Sequence, residues 1–292
     1  MQIRILGTAA GGGIPQWNCN CRNCRAARKS GTFLSQSSAA ISDNGKEWLL
    51  LNASPDVVYQ FALFPPLAPR GKKLRGSPIA AVILTDAEMD HTAGLLSLRE
   101  NKSLHLVSTA SVKRLLTHEF PLLPVLEKYC RIKYSHFPIQ IAGFHVTALE
   151  LETDKELIYS LHAMPKGTVV ALRLESVRSK RSCAYVPGLP AITEKLEEWI
   201  KGCDCLMVDG TFWSEREMIS QGLSKRTARD MGHVAISGRG GSLEWLRGLE
   251  VPRKIYTHIN NSNPILWKTS RERRMVEKAG VEISRDGMEI KL

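Results

Sequence analysis

The sequence lacks the long apolar runs and the leader pattern that mark membrane and exported proteins. No apolar stretch approaches the roughly 18 residues that suggest a membrane span. Residues 1–6 alternate between apolar and polar side chains as a β-strand does, and they do not form the basic and then apolar leader that is typical of secretion. We therefore expect a cytoplasmic protein.

Acidic side chains are also in short supply. The chain has 29 Asp and Glu residues against 40 Lys and Arg residues, which gives a formal net charge of +11. Such an excess raises the local concentration of anionic partners. The basic residues nevertheless form short, dispersed groups with no interleaved aromatic residues, whereas a nucleic-acid-binding surface concentrates them. We therefore interpret the basic excess as a solvated surface that aids solubility and do not expect nucleic acid.

Internal repeats, low-complexity tracts and long polar linkers are absent, which predicts a single domain over residues 1–292. Apolar runs rich in β-branched residues predict strands at 38–42, 48–52, 80–84, 144–151, 169–175, 205–209, 254–258 and 288–292. Helical spacing appears at 92–99, 108–117, 192–201, 242–249 and 270–279. The predicted class is α/β, with a glycine turn at 11–13 and an exposed loop at 61–77 that is a candidate lid.

Three of the predicted strands lead into side chains that bind metals well. One apolar run leads into Asp86, a second ends on Asp209 and a third is followed by His258. Groups just past the carboxyl ends of strands meet in one crevice in α/β sheets. We therefore expect these three strand ends to form one site.

The segment that follows the first of these strands is unusually acidic. Asp86, Glu88, Asp90 and His91 place three carboxylates and an imidazole within six positions. Carboxylates so close together repel and raise one another's pKa unless a cation neutralises them. A bound metal ion is the economical explanation.

This acidic segment resembles the metal motif of the metallo-β-lactamase superfamily, His-x-His-x-Asp-His-x-x-Gly. Asp86 and Glu88 stand where the first two histidines would be, whereas Asp90, His91 and Gly94 are retained. The resemblance implies an αββα sandwich, and the two replacements argue against the usual dinuclear hydrolytic centre. Whether the carboxylates of Asp86 and Glu88 bind metal or contact substrate stays open.

Later positions of the family pattern are represented as well. Asp209 corresponds to a bridging aspartate at a late strand end, and His258 resembles the final histidine ligand. His162 is a weaker candidate for a further family histidine. The resemblance thus implies a metal site of Asp90, His91 and His258 with Asp209 nearby. Two imidazoles and a carboxylate with open positions suit ferrous iron that activates oxygen, and zinc or manganese that activates water is the alternative.

Within the superfamily, the sequence is similar to a branch that serves pyrroloquinoline quinone (PQQ) biosynthesis. The similar segments are residues 6–19, 85–92, 208–213, 231–233 and 258–264, which span nearly the whole chain. This resemblance implies a non-haem iron oxygenase that hydroxylates the tyrosine of a Glu-Tyr unit, with other PQQ-biosynthesis proteins as potential partners. The alternatives are a carrier or exporter-associated binder of PQQ or its precursor, and a metal-dependent phosphodiesterase or nuclease.

A further histidine, His233, lies between the Asp209 and His258 segments, where tRNA-processing ribonucleases of the superfamily carry a histidine. An imidazole titrates near neutral pH, so His233 is a candidate acid–base or substrate-orienting group. A structural hydrogen-bonding role is the alternative.

Three of the seven cysteines, Cys19, Cys21 and Cys24, lie within six positions. Because thiols stay reduced in the cytoplasm, a close cluster indicates a metal site more than a disulfide, and thiolates at this spacing can wrap a tetrahedral zinc ion. We expect a structural zinc loop at about residues 19–24. Related phosphodiesterases supply the fourth ligand from a histidine whose position is occupied here by Asn261, so the fourth ligand stays undetermined.

Overall fold

A computed structural model describes residues 1–72, 74–155, 157–160 and 166–292. Its strands form two seven-stranded sheets. The first sheet holds β1 (Gln2–Gly7), β2 (Ser38–Ser42), β3 (Trp48–Leu51), β4 (Ile79–Ile83), β5 (Ser103–Val107), β6 (Arg131–Ser135) and β14 (Glu289–Lys291). The second holds β7 (Ile139–Ile141), β8 (Phe144–Glu150), β9 (Val170–Ser176), β10 (Ser182–Val186), β11 (Cys205–Asp209), β12 (Arg253–Thr257) and β13 (Val281–Ile283).

The helices connect these strands. In the described part of the chain they are α1 (Arg22–Ser30), α2 (Val57–Ala62), α3 (Met89–Thr92), α4 (Ala110–His118), α5 (Leu122–Leu126), α6 (Glu194–Ile200), α7 (Glu217–Ser220), α8 (Ser242–Gly248) and α9 (Arg271–Lys278). Thr109, Thr193 and Ser270 cap α4, α6 and α9 with their hydroxyl oxygens, which satisfies backbone N–H groups that the first turn leaves free. Among the described residues, none of the helices has both the length and the apolar character needed to cross a membrane.

Both sheets combine antiparallel and parallel pairing. In the first sheet, β14, β1, β2 and β3 pair antiparallel, and β3 to β6 pair parallel. In the second, β7 to β10 pair antiparallel, and β10 to β13 pair parallel. The parallel strands β4, β11 and β12 carry the site residues at their carboxyl ends.

The main core lies between the two sheets. Ile5, Leu51 and Ile83 of the first sheet belong to one buried cluster with Leu172 and Met207 of the second. Burial of each such side chain stabilises the fold by about 1.5–3 kcal/mol. Two further clusters lie on the outer faces, one with α4 and α5 and the other with α6, α8 and α9. The layer order is therefore αββα, as expected.

Two local predictions need correction. The helix predicted at 92–99 is instead the short helix α3 followed by the 3₁₀ segment Ala93–Leu98. Gly94 explains the change, because a Cβ atom there would lie 2.0 Å from the carbonyl oxygen of Ser54, so the chain runs against the segment after β3. The loop at 61–77 leads to the amino end of β4, whereas the site lies at the carboxyl end, so this loop is not placed as a lid.

Candidate metal site

The ends of β4, β11 and β12 meet at one edge of the sandwich. Nε2 of His258 lies 3.2 Å from Oδ2 of Asp90, although 168 positions separate the two residues. The rings of His91 and His258 are 5.0 Å apart between centroids, and those of His233 and His258 are 5.5 Å apart. The structure thus brings together the strand ends that the sequence singled out.

Asp86 fixes the orientation of His91. Nδ1 of His91 lies 2.8 Å from both carboxylate oxygens of Asp86, and an ionised carboxylate can only accept a hydrogen bond. Nδ1 therefore carries a proton, and Nε2 is the nitrogen that can bind a metal ion. That Nε2 atom is buried and has no hydrogen-bond partner among the described residues. A carboxylate behind a ligating imidazole is the usual support of a metal-binding histidine.

Thr211 gives His258 the same tautomer. Its hydroxyl oxygen lies 2.5 Å from Oδ1 of Asp209 and 2.8 Å from Nδ1 of His258. The hydroxyl donates its one proton to the carboxylate, so it accepts from Nδ1 of His258, and Nε2 of that ring faces Asp90. His258 also adopts a φ of 54°, a left-handed conformation that costs free energy for any residue with a side chain and is concentrated at functional sites.

His233 forms a second carboxylate–histidine pair. Its Nδ1 donates to Oδ2 of Asp209 at 2.6 Å. Asp209 is fully buried, and its carboxylate also accepts from the backbone N–H groups of Leu189 and Thr211, each at 2.9 Å. Asp209 thus positions His233 and Thr211, in addition to its place beside His258.

Two groups of side chains present ligand atoms close enough to share a metal ion. Asp90, His91 and His258 form one, and Asp209, His233 and His258 form the other, with all ligand atoms of a group within 4.8 Å of one another. The orphaned Nε2 of His91 and the lone pair of His258 both suit a cation beside Asp90. The donor set therefore fits a metal ion.

The electrostatics of the site agree with this fit. Burial alone would raise the pKa of the carboxyl groups of Asp86 and Asp90, but the adjacent imidazole of His91 lowers the pKa of both. Burial likewise opposes the charged form of His91, yet the two carboxylates raise its pKa to about 9, so a metal ion would take the place of the proton that Nε2 otherwise carries at neutral pH. A buried pocket this anionic favours a positive charge at its centre.

Asp86 and Glu88 lie outside both groups of candidate ligand atoms. Both oxygens of Asp86 contact His91, and Oε1 of Glu88 pairs with Nζ of Lys155 at 2.5 Å. Asp86 therefore orients His91, a ligand candidate, and Glu88 forms an ion pair with a lysine. His162 lies outside the described residues.

Sequence reasoning missed three contributors to the site. Thr211 holds His258, Lys155 pairs with Glu88, and Gly11 lies against Asp90, where a Cβ atom would be 3.3 Å from Oδ2. The glycine turn at 11–13 was predicted, and Gly12 and Gly13 have φ values of 93° and 66°. The turn itself was therefore predictable, but nothing in the sequence indicated that Gly11 packs against Asp90.

The three cysteines converge as expected. The sulfur atoms of Cys19, Cys21 and Cys24 form a third candidate metal group, again within 4.8 Å of one another. Cys21 caps α1, since its Sγ accepts from the backbone N–H of Cys24. The side-chain amide of Asn261 donates to Sγ of Cys24 at 3.2 Å. The cluster therefore contacts the same loop that carries His258.

This fold and its paired carboxylate–histidine site define the class of protein. The model of the β-lactamase superfamily domain matches residues 47–259, which is more than half of the chain, so the chain belongs to the β-lactamase superfamily. Proteins named coenzyme PQQ synthesis protein B from Cupriavidus taiwanensis and Pseudomonas aeruginosa are 44% and 42% identical to it, over 99% and 100% of each chain respectively. Within the superfamily, the chain therefore belongs to the family of coenzyme PQQ synthesis protein B.

Solved structures agree with this assignment. The crystal structure of Zn²⁺-bound PqqB from Methylobacterium extorquens has a TM-score of 0.90 and 35% identity over 100% of both chains. A diphosphatase from the PhnP family has a TM-score of 0.70 at 17% identity and covers 100% of this chain and 97% of its own. The second likeness concerns the fold alone.

Proposed function

We propose that this protein acts in PQQ biosynthesis as a metal-dependent, oxygen-using hydroxylase of the tyrosine in a Glu-Tyr precursor. The PQQ role rests on full-length relatives named coenzyme PQQ synthesis protein B. The chemistry rests on one observation: Asp90, His91 and His258 present a carboxylate and two imidazole nitrogens to a common point. That set, with open positions, is typical of non-haem ferrous sites.

In this proposal Asp90, His91 and His258 hold the ion, and when bound a ferrous ion supplies the redox chemistry that hydroxylation by dioxygen requires. Asp86 and Thr211 keep the two imidazoles in the tautomer that leaves Nε2 unprotonated. Asp209 does the same for His233, whose Nε2 is then able to accept a hydrogen bond from the substrate's phenol. Glu88 takes no part as a ligand and anchors Lys155.

We further propose that the chain is one domain with a structural zinc ion bound by Cys19, Cys21 and Cys24. Three sulfur atoms within ligand distance of one another support this. The side-chain amide of Asn261 donates to Sγ of Cys24, so Asn261 supports the cluster as a hydrogen-bond donor.

The decisive experiment is an isotope-labelled turnover. Protein purified without oxygen is loaded with ferrous iron, mixed with Glu-Tyr and a reductant, and exposed to ¹⁸O₂. We expect a product heavier by one labelled oxygen atom in mass spectrometry. His91→Ala should abolish it because the variant loses a ligand, whereas His145→Ala, which changes an exposed histidine on β8, should not.

Absence of labelled product from fully iron-loaded protein would overturn the hydroxylase. Tight binding of PQQ that survives His91→Ala would then favour the carrier. Metal-dependent cleavage of a phosphodiester that is lost in His91→Ala would instead favour the hydrolase.

A further inference from the structure

A large cavity adjoins the candidate metal site. It has a volume of about 870 Å³ and is lined by three chain segments, within residues 152–160, 190–191 and 226–232. Cavities of roughly 300–1,000 Å³ are typical of small-molecule sites. The cavity is therefore large enough for a ligand of dipeptide size.

Two of the three segments that line the cavity adjoin residues of the metal site. Lys155 pairs with Glu88, and its methylene groups pack on Gly232, where a Cβ atom would lie 2.6 Å from Cδ of the lysine. Gly232 directly precedes His233. The cavity wall therefore continues directly into the residue whose imidazole Asp209 orients.

The charges on the walls have both signs. Lys155, Arg226 and Arg229 are opposed by Glu152, Asp154 and Asp230. A polyanion such as an oligonucleotide would meet three carboxylates here, which disfavours it. A ligand that carries both a carboxylate and an ammonium group matches both signs.

Some of these charged side chains already have partners within the protein. Arg226 donates to the backbone carbonyl oxygen of Asp230, and Lys155 is paired with Glu88. Within the described ranges, Arg229 has no side-chain hydrogen bond or ion pair, and neither do the carboxylates of Glu152 and Asp154. The cavity therefore offers a free guanidinium and two free carboxylates.

We propose that this cavity is the binding subsite for the zwitterionic end groups of the ligand, with Arg229 binding a carboxylate and Glu152 or Asp154 binding an ammonium group. This inference rests on the proposed function and deepens it, because it names the residues that select the substrate. A guanidinium binds a carboxylate through two parallel hydrogen bonds, which gives geometric specificity as well as affinity. Arg229 is thereby a specificity-determining residue remote from the metal ligands.

Calorimetry with zinc-loaded protein tests the assignment without turnover. Glu-Tyr is compared with Glu-Tyr amide and with Gln-Tyr, each of which lacks one carboxylate. We expect Arg229→Gln to weaken Glu-Tyr binding about 10- to 100-fold, as loss of a charge-assisted hydrogen bond does. One of the two modified peptides should bind the unaltered protein equally weakly and lose nothing further in Arg229→Gln. Arg239→Gln, an exposed arginine outside the cavity, is the matched control.

The ammonium side is tested with N-acetyl-Glu-Tyr against Asp154→Asn and Glu152→Gln. Acetylation should weaken binding to the unaltered protein but not to one of these two variants.

If Arg229→Gln binds all peptides as the unaltered protein does, the proposed subsite is wrong, even where labelled hydroxylation proceeds. If Glu-Tyr binds as expected yet is never hydroxylated, the proposed reaction fails and the subsite stands. Failure of Glu-Tyr to bind at all overturns both.

Discussion

At the scale of single residues, the carboxylates of the acidic segment divide into three roles. Asp90 faces the histidine nitrogens, Asp86 holds His91, and Glu88 binds Lys155. The sequence predicted that these carboxylates surround a cation, and it could not assign their roles. Neighbouring side chains point in directions set by the turn into α3, and α3 is held in place by remote contacts, among them the hydrogen bond from the backbone N–H of Ala53 to the carbonyl oxygen of His91.

The role of Asp86 as a positioning residue leads to a prediction. Asp86→Asn keeps the size of the side chain but weakens its hold on Nδ1 of His91, because a neutral amide accepts less strongly than a carboxylate. We expect metal affinity at the active site to fall about 10- to 100-fold, as it does when such supporting groups are lost. Competition with a chromogenic chelator measures this affinity.

Asp204→Asn is the matched control for that variant. Asp204 lies at the other end of β11 and pairs there with Arg181, so its change should leave metal affinity unaltered. Equal affinities for Asp86→Asn and the unaltered protein would show that the hydrogen bond to His91 does not support metal binding.

At the scale of elements, strands with a buried apolar face were the most predictable. The strand predicted at 205–209 coincides with β11, all five residues of which are buried. Strands β5, β6, β7, β10 and β13 were missed. Of these, β10 is fully buried but has only one β-branched residue, and β6 has no fully buried residue. Its position at the sheet edge comes from pairing with β5, and pairing between remote segments leaves little trace in local composition.

The cysteine loop is the element that joins the beginning of the chain to the loop after β12. Asn23 donates to the carbonyl oxygens of Asn261 and Asn263 at 2.9 and 2.8 Å, and Asn261 donates to Cys24. In addition, the backbone N–H of Ala10 donates to the carbonyl oxygen of Ile259. The loop that carries His258 is therefore held against the cysteine cluster from both sides.

Loss of one thiolate should consequently affect the whole fold. We expect Cys24→Ser to abolish binding of the structural zinc, because two thiolates hold the ion too weakly. The free energy of zinc binding is part of the folding free energy, so the melting temperature should fall. A loss of about 3 kcal/mol corresponds to roughly 5 °C in a domain of this size.

Metal analysis and calorimetric melting measure these two effects. Cys130→Ser is the matched control, since Cys130 is buried but lies outside the cluster, and that variant should keep its zinc. If Cys24→Ser retained one tightly bound zinc per chain at this loop, the cysteines would not be its ligands.

At the scale of the whole molecule, the fold was easier to predict from the sequence than the metal site was. All eight predicted strands overlap an observed strand of a sandwich that buries its core between two sheets. The site, in contrast, requires β4 of one sheet and β12 of the other to end at the same edge. The three strand endings and the family motif both predicted that meeting, although the rule for strand ends concerns neighbouring strands of one sheet and these strands belong to two.

Global stability should depend on pH through a buried acid that lies away from the candidate ligands. Glu217, at the start of α7, is 4% exposed, and its burial raises its pKa to about 7 despite hydrogen bonds from Ser262 and the backbone of Trp213. The folded protein thus holds this proton more tightly than the unfolded chain does. The free energy of unfolding should therefore fall as pH rises from about 4.5 to about 7, by at most about 3 kcal/mol.

Glu217→Gln removes this contribution, because glutamine does not ionise. Relative to the unaltered protein, the variant should gain stability progressively between pH 5 and pH 8, even if the lost hydrogen-bond acceptor makes it less stable at pH 5. Denaturant unfolding across this range measures the difference, with Glu250→Gln as an exposed control that shares every other pH-dependent effect. If the stability of Glu217→Gln and of the unaltered protein depended on pH in the same way, burial would not raise the pKa of Glu217. The hydrogen bonds from Ser262 and Trp213 would then fully offset the desolvation of its carboxylate.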